Sequence, residues 1–436
     1  MTLKYTMSNS LCRATMLLFL LGRFSLCSQP AGPAGDAPQL RIRSDFPGGS
    51  AKVLGIDPDN NTIHITPADD PKRGFPCWWY FRLDGVNTNL PLTLEVTANQ
   101  GIVQTGEPGK TREFPADYSL PEYAAFSMDG TNWEHTRRGE RRGKQMTYHV
   151  AAAKSTFWLA WGPPFTLKDA NQLIEQACAR SPYASSFVLA RTRGGRPVPG
   201  LRVAQPGAAG SPRYGVWIQA RQHAWESGSS WVAQGFVDWL VSNDPAAETL
   251  RQKADIVVIP IMDVDSVEEG QGGKEQVPHD QDEDWHPQPF FPEVAAGMKS
   301  LYALAKAGRL DLLLDLHNPG YSARDIDFYI APTPLLPPER VANEQNFFNI
   351  VQEQMTGAIK FNGRIGPDSD TYDPVMNKCV DAWVAAQSQP YVVSLTMETP
   401  WNISAGTQSG YLKTGAQLGR SINLYLQATN RPGAVK

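Results

Sequence analysis

Cysteine is scarce in this chain: Cys12, Cys27, Cys77, Cys178 and Cys379 are the five present in 436 residues. No Cys-x-x-Cys occurs, and the first two lie in an N-terminal leader, so three widely spaced thiols remain. That excludes a disulfide framework and a cysteine-built structural zinc site, and the three read as buried apolar side chains. An excess of positive charge is equally absent. Lys and Arg number 40 against 44 Asp and Glu, a formal net charge of -4, which offers no basic field for nucleic acid. The densest basic run, Arg137 to Lys144 (RRGERRGK), carries Glu140 and two glycines and reads as a solvated hairpin tip. Beyond the N-terminus no stretch is long and apolar enough to cross a bilayer as a helix, and no internal repeat occurs.

What is present describes an ordinary folded protein: 41% hydrophobic and 19% charged residues over a length that exceeds one typical domain. The N-terminus places Lys4 and Arg13 before an apolar run, Ala14 to Leu21 (ATMLLFLL), and a Pro/Ala/Gly-rich stretch from Pro30 to Pro38. That order matches an export signal whose apolar core is too short to be a stable span. Residues 1–35 are therefore assigned to an export signal and linker, and the mature protein is expected to be exported, periplasmic or secreted. Leu26 before Cys27 fits lipoprotein processing poorly.

Residues 36–162 read as a β-sandwich domain. Trp78 to Val86, Leu90 to Asn99, Met146 to Ala152 and Ser155 to Gly162 are β-branched or aromatic runs broken by Gly, Pro, Asn and Asp. Leu92, Leu94, Val96 and Ala98 alternate with more polar residues, the period of a strand with one buried face. Trp78, Trp79 and Tyr80 are expected in its core rather than as a sugar-binding platform, and His64, His135 and His149 as ordinary polar side chains. The pattern changes at Pro163-Pro164. Thr166 and Asp169 form a capping box for a helix, and from there to residue 430 strands and helices alternate. Continuous apolar strands interleaved with helices predict an α/β fold: a mixed, largely parallel sheet with helices on both faces.

Four of those strands run directly into acids or a histidine. Tyr214 to Ala220 leads to His223 and Glu226, Asp255 to Met262 to Asp263 and Asp265, Leu310 to Leu316 to His317, and Tyr391 to Met397 to Glu398. Parallel strands would bring these ends to one crevice, the place where open α/β sheets bind ligands. His223, Glu226 and His317 supply two imidazole nitrogens and a carboxylate, a donor set suited to Zn²⁺ that leaves a coordination position open for catalysis. Glu398 is the candidate general base.

At these residues the chain resembles the zinc metallocarboxypeptidase family, most closely its cytosolic carboxypeptidase-like branch, where the first ligand motif reads Ala-Arg-x-His-Pro-Gly-Glu-Ser. Here Ala220 to Ser227 is ARQHAWES. Trp78 to Arg82 (WWYFR), Ser127 to Trp133 (SMDGTNW) and Pro164 to Thr166 resemble the β-sandwich that precedes the catalytic domain in that branch. The resemblance implies a carboxypeptidase-like fold, His317 in LDLHN as third ligand and Glu398 in TMET as catalytic glutamate. It also implies that Asp280 orients His223 and that Tyr372 faces substrate. The chain departs from the family where an Asn-Arg pair holds a substrate's C-terminal carboxylate, because Asp282 and Glu283 stand there. Where the related branch has an arginine beside the oxyanion, Gly273 falls, with Lys274 and Arg324 as possible replacements.

The expected function is zinc-dependent hydrolysis of a peptide or peptide-like amide bond with an altered C-terminal-recognition pocket. The alternative is a binding protein that keeps the fold and has lost turnover. Substrate identity and oligomeric state stay open.

Overall fold

Alternation of apolar and polar side chains builds the N-terminal half. In Leu92–Thr97 the side chains of Leu92, Leu94 and Val96 are fully buried while those between them are partly exposed, as a strand with one covered face requires. The computed structural model describes residues 40–68, 70–99, 101–104, 109–206, 213–367 and 379–429. The leader and Tyr372 lie outside the described residues.

Two five-stranded sheets and a small two-stranded one, Ile102–Gln104 with Thr111–Glu113, form this half. One five-stranded sheet runs, in spatial order, Arg41–Arg43, Tyr80–Asp84, Thr156–Ala160, Ala125–Ser127, Glu134–His135; the other runs Glu140–Arg142, Gln145–Val150, Leu92–Thr97, Thr62–Thr66, Lys52–Asp57. Trp79 meets Tyr148 between them, ring centroids 6.1 Å apart. Trp78, Trp79 and Tyr80 are all buried, and the two indole N–H groups donate to the carbonyls of Gly48 and Ser119. They are core, not a platform. The basic run is a hairpin: Arg142 pairs with Gln145 across a turn in which Gly143 has φ +59°.

The chain then enters the helix Leu167–Arg180. Asp169 accepts from the Thr166 backbone N–H (2.7 Å) and hydroxyl (2.8 Å), the reciprocal side of a capping box. An eight-stranded sheet follows in the order Ala184–Arg191, Pro197–Val203, Ala254–Ile259, Tyr214–Ala220, Leu312–His317, Val393–Glu398, Ile326–Ile330, Phe361–Pro367. The four strands from Ala254–Ile259 to Val393–Glu398 are mutually parallel. Antiparallel pairs flank them, involving Pro197–Val203 on one side and Ile326–Ile330 on the other. Leu312–His317 is buried at every position, the pattern of a strand covered on both faces.

Helices Ser227–Leu240 and Gln408–Ala428 pack together closely. A Cβ added at Gly235 would lie 2.1 Å from the Leu412 carbonyl oxygen, and one at Gly415 would lie 2.1 Å from that of Val232. Pro292–Lys306 and Val380–Gln387 pack against each other elsewhere on the sheet. Among the described residues no helix is long and apolar enough to cross a membrane.

Candidate active site

Parallel strands end at the same edge, and register places their terminal residues side by side. Ala220 is level with Leu316, and His317 with Glu398. After Ala220 the chain turns sharply at Arg221, whose φ of +68° is rare for a residue with a Cβ. Its buried guanidinium secures that turn by donating to the carbonyl oxygens of Ala224 (2.7 Å) and Phe165 (3.2 Å) and to the Ser230 hydroxyl (3.3 Å). Burial lowers its pKa to about 9. The turn delivers His223 inward, and the helix that starts at Ser227 fixes Glu226 at its mouth.

His223, Glu226 and His317 are buried, and one donor atom from each lies within 4.8 Å of the others. The Glu226 carboxylate faces His223 Nδ1 at 2.9 Å and His317 Nδ1 at 3.0 Å, and the two Nδ1 atoms are 3.2 Å apart. Behind the rings, His223 Nε2 faces Asp280 Oδ2 at 3.4 Å and His317 Nε2 faces Asp315 Oδ2 at 3.0 Å. A carboxylate behind each imidazole directs its other nitrogen toward a metal. Burial opposes the ionised forms here. For Glu226 it is outweighed by His223 and His317, which hold its pKa well below the usual range; for His317, Asp315 and Glu226 outweigh it and push the pKa far up. Two nitrogens and a carboxylate converging in a buried site fit Zn²⁺, whose charge takes over from the protons that otherwise hold them together.

Glu398 ends the next strand. It is partly exposed, yet its Oε2 is buried without a hydrogen-bond partner. Burial, with repulsion from Glu226, pushes its pKa up to about 8. Lys274 is partly buried in the same crevice, where Asp280, Glu226 and Asp282 outweigh burial and hold it charged.

Asp263 and Asp265 do not join this group. Asp263 caps the helix Val264–Glu268 by accepting from Ser266 N–H (3.0 Å), and Asp265 accepts from Thr192, Gly194 and Arg196. The strand ends at Ile259, four residues earlier, and a carboxylate just before a helix is well placed to cap it, so that local bond prevails over convergence. Arg324 is likewise committed elsewhere: it is half exposed, pairs with Glu122 at 3.0 Å and donates to the Asn402 carbonyl. Asp282 accepts from Gln222 Nε2 at 2.9 Å and lies 3.7 Å from Cys379 Sγ. Cys379 is therefore a neighbour of the site rather than an ordinary core thiol, and Cys178 is only partly buried. Glu283 lies beside Asp280 and Asp282; burial first, then those two charges, push its pKa up to about 7.

Sequence reasoning passed over three contributors. Asp315 precedes His317 by two residues on one strand, so both side chains face the same way, a signal that was available. Asn318 accepts from Ser229 N–H, donates to the Thr399 carbonyl and gives its own N–H to Glu226. Gln222 bridges Asp282 and Asp315 and accepts from the Trp285 indole. Nothing local marks the last two.

Two family descriptions cover most of the described chain: "Zinc carboxypeptidase" matches residues 170–286, and "Cytosolic carboxypeptidase N-terminal domain" matches residues 42–161. The chain carries a zinc carboxypeptidase domain preceded by a domain of the cytosolic carboxypeptidase N-terminal type. The first match contains His223, Glu226 and Asp280 and ends before His317 and Glu398; the sheet brings those two to the same edge. An uncharacterised protein of Zymomonas mobilis is 26% identical over 227 residues, 52% of this chain and 54% of that protein. Human cytosolic carboxypeptidase 4 is 30% identical over 283 residues, 55% of this chain and 24% of its own length. The chain thus spans about half or less of these curated relatives. In fold it is similar to a metallo-carboxypeptidase of Burkholderia cenocepacia, with a TM-score of 0.74 at 21% identity over 89% of this chain and 99% of that one. It is also similar to a Pseudomonas aeruginosa metallo-carboxypeptidase solved with (2-guanidinoethylmercapto)succinic acid, with a TM-score of 0.72 at 17% identity over 89% and 99%. Zinc is the cofactor of this family, and His223, Glu226 and His317 are the donor group suited to it.

Proposed function

We propose that the chain is an exported zinc-dependent hydrolase of peptide or peptide-like amide bonds whose pocket receives a neutral or cationic group where a carboxypeptidase receives a free carboxylate. His223, Glu226 and His317 hold the zinc, which supplies Lewis-acid polarisation of a carbonyl and acidifies water. Glu398, with one oxygen unpartnered, takes the proton of the attacking water and returns it to the leaving nitrogen. Lys274 stands closest in role to the family's missing arginine, since it is charged and shares the crevice with Glu398 and Glu226.

The observation that carries the altered pocket is the charge beside Lys274: Asp280, Asp282 and Glu283 meet one lysine. A substrate carboxylate entering there faces like charge, whereas an amide, amine or basic side chain does not. Matched substrates ending in a free acid, an amide and an amine, compared by kcat/KM, are the test. Preference for the free acid, abolished in Lys274→Ala, would overturn the altered pocket and restore ordinary carboxypeptidase specificity. Export rests on the leader pattern around Ala14 to Leu21; mass analysis of protein recovered outside the cytoplasm should find the chain starting near residue 35.

A further inference from the structure

The loop 273–277 passes between the metal site and the β-sandwich, and the sandwich grips it from both ends. Phe75 N–H donates to the Lys274 carbonyl at 2.9 Å, and Val277 N–H donates to the Lys72 carbonyl at 3.0 Å. Between those anchors Glu275 has φ +57°, a left-handed conformation that residues with a Cβ rarely adopt and glycine adopts freely. In that conformation its N–H donates to Asp280 Oδ2 at 2.9 Å, the same oxygen that faces His223 Nε2 at 3.4 Å. A non-glycine residue kept at such a position points to a use for its side chain. Here the Glu275 carboxylate pairs at 2.8 Å with Arg112 of Thr111–Glu113, a strand of the small two-stranded sheet beside the sandwich, and the Arg112 guanidinium lies 5.3 Å over the ring of Phe75.

We infer that Arg112 is a positioning residue for the zinc site: it straps Glu275 into its left-handed conformation, which aims Glu275 N–H at Asp280 and so orients His223. The sandwich thereby contributes to metal binding without touching metal or substrate. The bland reading is that the pair is glue between two layers. The two readings differ in what glycine does. With the strap removed, glycine at 275 takes the left-handed conformation unaided and restores the aim at Asp280, whereas it cannot restore lost glue.

The inference rests on the zinc assignment to His223, Glu226 and His317. Zinc affinity of the whole chain, measured by chelator competition, and apo-protein Tm are the readouts, with kcat/KM alongside. Arg112→Ala should weaken zinc about 10-fold, the lower end for losing a partner behind a ligand. Arg112→Lys should stay within about threefold of wild type, and Arg112→Ala with Glu275→Gly should recover most of the loss without recovering Tm. If Arg112→Ala does not fold, Glu275→Gly should still bind zinc more tightly than Glu275→Ala, which keeps the Cβ and loses the strap. An Arg112→Ala affinity within twofold of wild type overturns the inference. So does a double variant no better than Arg112→Ala, or Glu275→Ala equal to Glu275→Gly. A wild-type chain that takes up no zinc removes the zinc assignment as well.

Discussion

The two sides of the crevice are built to different rules. His223, Glu226, His317 and Glu398 stand at or just past the ends of three adjacent parallel strands that are buried along almost their whole length. Lys274, Asp280, Asp282 and Glu283 stand on a loop whose regular structure is one short 3-10 turn, Asp282–Asp284, held by the sandwich and by single hydrogen bonds. Rigid strands hold the chemistry at fixed spacing, while a loop can exchange the side chains that meet the substrate without disturbing the sheet. The proposed change of specificity sits wholly on the loop side, at Asp282 and Glu283.

Breaking the strand side should have the largest effect. Glu398→Gln should fold and bind zinc as wild type yet lose about 10²–10⁴-fold in kcat, and near-normal turnover would remove Glu398 from the mechanism. His317→Ala should lose stoichiometric zinc by metal analysis; full retention would mean the donor set is wrong. Converting the loop side toward the family sharpens the contrast. Asp282→Asn with Glu283→Arg should raise kcat/KM for a free-acid substrate relative to its amide by about 10–100-fold, as charged hydrogen bonds worth ~1.5–3 kcal/mol allow. No shift in that ratio would place the loop outside the substrate's reach.

Asp315→Asn probes the support behind the strand side. It should weaken zinc about 10-fold while leaving substrate end-group preference unchanged, which chelator competition and the matched substrates together report. A pH series probes the loop side. The Glu283 pKa is raised to about 7, so its carboxylate is neutral below that pH and charged above it. Preference for an amine over a neutral end should therefore rise several-fold as pH passes upward through about 7, and a flat ratio would remove Glu283 from recognition. Arg324→Ala should have the smallest effect, changing kcat/KM less than about threefold, because its exposed pair with Glu122 is of a kind worth ~0–1 kcal/mol.

The residues show how far pattern reading reaches. Strand period and helix caps were legible because they are local: Leu92–Thr97 alternates, Leu312–His317 opens with three leucines, and Asp169 reaches back to the Thr166 cap three residues away. The candidate donor set was legible because His223 and Glu226 follow one apolar run within a few residues and His317 closes another. Asp263 and Asp265 obeyed the same rule and failed it, because a helix starts where they stand and takes Asp263 as its cap.

By itself, then, the sequence determined the succession of a β-rich half and an α/β half, the strand ends that carry donors, and the run of acids from Asp280 to Asp284. Each follows from residues within a few positions of one another. Tertiary structure alone decided that Lys274 rather than Arg324 faces the carboxylates, that Asn318 and Gln222 tie the ligands together, and that Arg112 reaches Glu275 across 163 positions of chain. Those contacts depend on how the two halves pack against each other. No local period encodes that packing, because it is set by the shapes of whole faces rather than by the spacing of neighbours.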